Sequence, residues 1–193
     1  MSSLSAVGTF LVDIIIDAYI YVLILRLILQ HQGASWHNPF VQFVVKLTDV
    51  IVKPVRKILP GYRGIDFAIV FWIILFELVE IFLLSWIQFV LTPGILGAII
   101  VAIAGIATKI VNVYFFTVII AAILSWFPRA QQHPLSDVVI MIAEPLMNVA
   151  RRFIPFIGGV DISPIVLIII LQLISILVLS PLAAVGMKLA FVR

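Results

Sequence analysis

The chain has 193 residues, of which 64% are hydrophobic and 11% are charged, and its mean hydropathy is +1.31. Soluble domains average roughly 45–50% apolar and about 25% charged residues, so this composition excludes a water-soluble globule. At roughly 20 residues per crossing, the length allows four or five transmembrane helices and leaves no room for a large extramembrane domain.

The net charge of +3, from 12 basic and 9 acidic residues, is too small and too dispersed to indicate nucleic-acid binding. The absence of cysteine excludes disulfides, thiolate metal sites and cysteine nucleophiles. The first residues, Met1 to Ser5, carry no basic side chain. We therefore expect the apolar stretch that follows to be a retained membrane span and not a cleaved signal.

Four segments are long and apolar enough to cross a bilayer as helices: residues 4–29, 67–91, a span within 95–127, and 165–185. The third segment is longer than one crossing needs. Residues 95–107 are either part of that span or a separate re-entrant segment, and the sequence leaves both alternatives open.

Basic residues are concentrated in the loops at 31–66 and 128–161, whereas Thr92, Pro93 and Gly94 between spans two and three carry no charge. Lys and Arg are retained on the cytoplasmic side of a membrane. We therefore predict that both basic loops are cytoplasmic and that both termini lie outside, although Lys188 and Arg193 are a minor disagreement.

An internal repeat emerges when the sequence is compared with itself. A shift of 95 residues aligns residues 38–66 with 133–161 without a gap and places Arg56 on Arg151 and Asp66 on Asp161. We predict an all-α transmembrane protein, a four-span bundle of two same-orientation repeats at 1–94 and 95–193. Each repeat is a helical hairpin with an amphipathic interfacial helix in its loop.

The loop helices are predicted from apolar residues at helical spacing, which in the first copy are Phe40, Phe43, Val44, Leu47, Ile51, Val55 and Ile58. Asn38 and Pro39 are typical of a helix start, and Pro54 and Pro145 are expected to kink or split the helices. We expect Asp66 and Asp161 to cap the spans that follow.

Five basic residues of the loops are expected to face lipid headgroups or a cytoplasmic partner: Lys53, Arg56, Lys57, Arg151 and Arg152. Anchoring on anionic lipid and docking of a protein partner are both compatible with this pattern.

The loop motifs identify a family. The segment from Lys53 to Pro60, the Gly-Ile-Asp that ends at Asp66, and the second-copy echoes around Glu144, Arg151 and Asp161 resemble the YggT (YlmG) family of small integral membrane proteins. The second copy departs where Asn148 replaces Lys53. The resemblance implies a bacterial inner-membrane protein with plastid relatives, and roles in osmotic or potassium tolerance, near cell division, and in plastid cytochrome assembly and nucleoid organisation.

Ionisable residues inside the predicted spans form an expected polar network: Asp13, Asp17, Glu77, Glu80, Lys109 and Asn112. Each would cost about 2.5–3.5 kcal/mol if charged and unpaired in lipid, so we predict that they face the bundle interior and that Lys109 pairs with Asp13 or Asp17. The surplus acids are protonated or hold a cation or proton. Interhelical packing, an ion pathway and a partner contact all remain open.

Sequence motifs for catalysis are missing: the chain has no phosphate-binding loop, no nucleophile turn and no metal-spaced histidines. We predict a non-enzymatic protein without cofactor or metal, which helps organise or assemble membrane components and contacts anionic lipid and a membrane-protein partner or a second copy of itself. The alternative is a potassium- or proton-permeation or osmotic-stress component that uses the intramembrane acids.

Overall fold

The computed structural model describes residues 3–89, 92–127, 129, 131, 133–154 and 161–191. These residues form six helices: α1 (Ser3–His31), α2 (Pro39–Arg56), α3 (Phe67–Phe89), α4 (Ile95–Ser125), α5 (Pro134–Phe153) and α6 (Ser163–Phe191). Across this part of the chain there is no strand, only an isolated bridge between Tyr62 and Ile65. The all-α prediction is confirmed.

Among the described residues, three helical segments are long and apolar enough to cross a membrane: Phe67–Gln88, Ile95–Ser125 and Ser163–Phe191. Helix α1 has 29 residues, about 43 Å at 1.5 Å per residue, but it carries Asp13, Asp17 and Arg26 and is not among the three. The four-span layout therefore stays a prediction. Helix α4 is continuous over 31 residues, so residues 95–107 belong to it and are not a separate segment. The predicted span end at Leu91 lies outside the described residues.

Both loop helices begin as their sequences predict. The Asn38 side chain accepts hydrogen bonds from the N–H groups of Phe40 and Val41, and Pro39 is the first residue of α2. In the second copy, His133 Nδ1 accepts the N–H of Leu135 at 3.2 Å. A side-chain acceptor just before each helix therefore satisfies a backbone donor that the helix leaves free.

The prolines were predicted to kink or split these helices. A split is excluded, because α2 continues through Pro54 and α5 through Pro145, and the kink stays a prediction. Pro54 lies in the last turn of α2, where few backbone bonds remain to be lost. Pro145 is flanked by buried residues on both sides, Ala143 and Met147, so packing holds the helix together across it.

The predicted apolar face of α2 packs only partly against the other helices. The buried residues are Val41, Val44, Thr48 and Val52, whereas Phe43 is 58% exposed and Ile58 is 79% exposed. Only one edge of the broad apolar surface therefore packs on the bundle. The other edge is left facing outward beside the polar residues.

The core consists of two clusters. Ile20, Leu23, Ile24 and Ile69 are fully buried between α1 and α3, and Ile142 of α5 joins them. A second cluster lies within the second copy and includes Val118, Ala143, Met147, Leu167 and Leu171.

Helices α4 and α6 approach closely because small residues meet there. A Cβ added to Gly97 would lie 2.1 Å from the Ala190 nitrogen, and one added to Gly186 would lie 2.8 Å from Val101 Cγ2. The N–H of Gly94 donates to the Ala190 carbonyl at 2.8 Å. Helix α6 contains a π-helical turn at Ser175–Leu179, which separates its N-terminal half from these contacts. The N–H of Ser180 donates to the Ser175 carbonyl there.

Candidate functional site

The most polar part of the buried structure lies where α1, α3 and α4 meet. Lys109 Nζ of α4 lies 2.8 Å from Asp17 Oδ1 of α1, 2.8 Å from Glu77 Oε2 and 3.6 Å from Glu80 Oε2 of α3. Glu77 and Glu80 are three residues apart, so both project from one side of α3. One ammonium group thus joins three helices.

The predicted contact between Lys109 and Asp17 is present, and its pairing with both glutamates was missed. Ala98, Ala102 and Gly105 follow one another at helical spacing on α4, and both alanines are buried. A Cβ added to Gly105 would lie 2.0 Å from Glu77 Oε1, so the missing side chain leaves the space that the Glu77 carboxylate occupies. This glycine, one turn before Lys109, is the sequence signal that could have identified Glu77.

Carboxylates outnumber the cation in this cluster. One oxygen each from Asp13, Asp17 and Glu80 lies within 4.8 Å of the others. The prediction that all these residues face the bundle interior is wrong for Asp13, which is exposed at the edge of the cluster. Asp17 Oδ1 and Glu80 Oε2 are both buried and face Lys109 Nζ, at 2.8 Å and 3.6 Å respectively. Three oxygens at this spacing suit a hard cation or a shared proton. Asn112, predicted to belong to the network, instead donates to the Tyr21 hydroxyl at 3.3 Å.

A matching ion pair joins each loop helix to the start of the next helix. Arg56 pairs with Asp66, and Arg151 Nε lies 2.8 Å from Asp161 Oδ2. The predicted capping is observed as well: Asp66 Oδ1 accepts the N–H of Ala68, and Asp161 Oδ1 accepts the N–H of Ser163. The ion pairs were missed, although the ten-residue spacing from arginine to aspartate in both copies was a readable signal.

The basic residues of the loops are therefore not equivalent. Arg56 and Arg151 hold the fold, and Lys53 Nζ lies 2.8 Å from Asp49 Oδ2 while remaining 69% exposed. In the described ranges, Lys57 and Arg152 are exposed and form no salt bridge. These two are the residues most available to lipid or a partner.

Arg26 is a functional candidate that the sequence analysis did not single out. Its side chain is 2% exposed and lies 2.8 Å from Asp49 Oδ1, donates to Thr48 Oγ1 at 2.6 Å, and donates to the Val45 carbonyl at 3.3 Å. Although partial burial raises the pKa of Asp49, hydrogen bonds from Lys53 and Arg26 outweigh it and hold that pKa below its usual value.

A family model described as CCB3/YggT matches residues 5–87 and again residues 100–182. The chain belongs to the CCB3/YggT family. The two matched segments are offset by the same 95 residues as the repeat found in the sequence. Family membership together with the three apolar helices fits a multi-pass membrane protein.

Bacterial relatives cover nearly the whole chain. An uncharacterized protein of Pseudomonas aeruginosa is 34% identical over 188 residues, which are 95% of this chain and 94% of that protein. The uncharacterized protein YggT of Escherichia coli K12 is 33% identical over 182 residues, 92% of each chain.

A plant relative covers a shorter stretch. The chloroplastic YlmG homolog protein 2 of Arabidopsis thaliana is 36% identical over 64 residues, 32% of this chain and 24% of that protein. No solved structure matches this chain.

Proposed function

We propose that the chain is a non-enzymatic, four-span protein of a bacterial inner membrane that helps to organise or assemble other membrane components. Its working surface is the pair of loop helices, α2 and α5, on the cytoplasmic side. The observation that carries the proposal is the division of α2 into a packed edge, an exposed apolar edge and a charged face.

The exposed apolar edge of α2 consists of Phe43, Leu47 and Val50, and Lys46 and Lys53 lie on the polar side. A helix with this arrangement lies in the headgroup plane, with apolar side chains toward the acyl chains and lysines toward anionic headgroups. Because the Arg56–Asp66 ion pair ties the helix end to α3, the polar face is held at a fixed position where a cytoplasmic partner can bind it.

Photo-crosslinking in cells tests the role directly. A photoreactive residue at Lys57 or Arg152 should capture the same partner, and Lys57→Ser together with Arg152→Ser should abolish its co-purification. A photoreactive residue at Val185, an exposed position on α6, is the control. The proposal fails if Lys57 and Arg152 capture nothing beyond this control, or if the double substitution leaves co-purification unchanged.

A second candidate function is cation or proton permeation, including a role in osmotic tolerance. It is favoured by the surplus of carboxylates around Lys109, where one oxygen each from Asp13, Asp17 and Glu80 lies within 4.8 Å of the others. Interhelical packing alone needs fewer acids than the cluster contains.

Purified protein in liposomes distinguishes the two functions. A permeation component gives potassium or proton flux that disappears in Glu80→Gln and persists in Glu144→Gln, an exposed glutamate outside the cluster. An organiser gives no flux above protein-free liposomes. Flux that survives Glu80→Gln, Glu77→Gln and Asp17→Asn would exclude the cluster as its route.

A further inference from the structure

The second copy contains a cavity at the place where the first copy holds a buried arginine. Its volume is about 640 Å³, and it lies between the end of α4, the middle of α5 and the start of α6. Ala121, Ile140, Ala143 and Glu144 are among the lining residues.

These four residues are the repeat counterparts of the Arg26 site. Shifted by 95 residues, Ala121 corresponds to Arg26, Ile140 to Val45, Ala143 to Thr48 and Glu144 to Asp49. In the first copy, Val45, Thr48 and Asp49 are the three residues that accept hydrogen bonds from the Arg26 guanidinium. The second copy therefore keeps a carboxylate and a backbone carbonyl at the corresponding positions, lacks the Thr48 hydroxyl because Ala143 replaces it, and lacks the arginine that fills the space.

The carboxylate is retained while both of its cations are gone. Asp49 contacts Arg26 and Lys53, but Ala121 and Asn148 stand at the corresponding positions of the second copy. Glu144 forms no salt bridge and no side-chain hydrogen bond with any residue that the structure describes. Arg151, which also lines the cavity, is already neutralised by Asp161.

We propose that this cavity binds the guanidinium group of a ligand outside the chain, with Glu144 as its counter-ion. A planar guanidinium presents several N–H donors in a fixed fork. The Glu144 carboxylate and the backbone carbonyl of Ile140, the counterpart of Val45, are the acceptors that suit it. The apolar walls, including Ala121, Ala143 and Met147, accommodate the alkyl chain that carries the group, as α2 accommodates the stem of Arg26. The inference does not depend on the proposed function.

Calorimetry with 1-butylguanidinium tests the site in the full chain, purified in an uncharged detergent. We expect binding to the native sequence and a loss of affinity of about tenfold or more in Glu144→Gln, because the negative charge that strengthens the hydrogen bonds to the guanidinium is removed. Asp137→Asn is the matched control, an exposed acid on the same helix that does not line the cavity, and it should leave affinity within about twofold. 1-Butylammonium should bind about tenfold more weakly, because it lacks the fork.

Ala121→Arg supplies the missing side chain from within the protein. It should fold, since the first copy accommodates arginine at this position, and it should abolish binding of 1-butylguanidinium. If this variant fails to accumulate, Glu144→Gln decides, because Glu144 is exposed. The proposal is overturned if the native protein does not bind the probe, if Glu144→Gln binds it equally well, or if 1-butylammonium binds as tightly.

A competition experiment shows whether the guanidinium group comes from a polypeptide or from a small compound. A short unstructured peptide with one arginine should compete with 1-butylguanidinium if the cavity takes a side chain, and its lysine counterpart should not. If the native protein binds 1-butylguanidinium and neither peptide displaces it, the site is assigned to small guanidinium compounds.

Discussion

Lys109 is the residue on which the contact between the two copies depends most. Its ammonium contacts acids from α1 and α3, and these helices both belong to the first copy. Breaking a buried ion pair by removing one partner costs about 3–5 kcal/mol, because the other charge remains buried. The cluster therefore links α4 to the first copy, with Lys109, Glu77 and Glu80 shielded between the helices.

We expect Lys109→Asp to prevent accumulation of the protein, because it adds a further acid to the cluster. A second substitution, Asp17→Lys, should restore accumulation, since the two residues are in contact and simply exchange charges. Asp13→Lys should restore less, because Asp13 forms no salt bridge with Lys109 in the described structure. The membrane level of tagged protein reports each result, and failure of Asp17→Lys to rescue would contradict the pairing.

The two arginine–aspartate pairs should differ in their contribution to stability. Asp66 is 1% exposed whereas Asp161 is 22% exposed, so an unpaired Asp66 is the more costly. We expect Arg56→Gln to lower the free energy of unfolding by about 1–3 kcal/mol and Arg151→Gln by less than about 1 kcal/mol. Thermal unfolding in detergent measures the order, and equal losses would show that burial is not the cause.

Asp161 should also contribute to the acid sensitivity of the fold. Hydrogen bonds from Ser163 and Arg151 outweigh the effect of partial burial and hold the pKa of Asp161 below its usual value of 3.8. Its stabilisation is present above that pH and is lost as the pH falls through the folded pKa. Asp161→Asn should therefore lose less stability than the native protein between about pH 5 and pH 3, which unfolding curves at several pH values would show.

Helix starts could be predicted from the sequence because their causes are local. Asn38 and Pro39 act within one turn of α2, and Asp66 and Asp161 accept hydrogen bonds only two residues along the chain. Which face of α2 packs could not be predicted, because apolar residues cover more of that helix than the bundle can bury. Thr48, a polar residue, is buried since it contacts Arg26.

Close contact between α4 and α6 depends on glycines. Gly97→Ala places a methyl group against the Ala190 backbone, which cannot move aside as a flexible side chain can. We expect it to destabilise the protein by about 1–3 kcal/mol. Gly8→Ala is the matched control, because a Cβ there meets no atom within 4 Å. Equal melting temperatures for the two variants would contradict the close approach.

The rotation of each helix about its axis decides which side chains meet between helices. The spacing of residues along the sequence does not specify this rotation. The pairing of Lys109 with α3, the bonding of Arg26 to α2 and the cavity beside Ala121 all depend on how the helices turn toward one another. The sequence predicted that the intramembrane charges face inward and that Lys109 pairs with Asp13 or Asp17 of α1. Asp13 is exposed instead, and the pairing of Lys109 with Glu77 and Glu80 of α3 was missed. The repeat itself was readable because both copies keep the same spacing.

The four-span topology predicts the side of the membrane on which each loop lies. The chain contains no cysteine, so a single one placed at Ser35, Thr92 or Gln131 reports one position cleanly. Only Thr92→Cys should react with an impermeant thiol reagent added outside intact cells. Reaction of Ser35→Cys and Gln131→Cys on opposite sides of the membrane would mean an odd number of crossings between them.

The π turn in α6 has a consequence for how this chain tolerates change in length. Such a turn takes up one residue more than an α turn, so deleting a single residue between 175 and 179 would convert it into regular helix. Everything after it would keep its rotation, so Gly186 and Ala190 would stay against α4. Deleting one residue from the regular helix between 165 and 174 would instead turn all that follows by about 100° and move both residues away from α4.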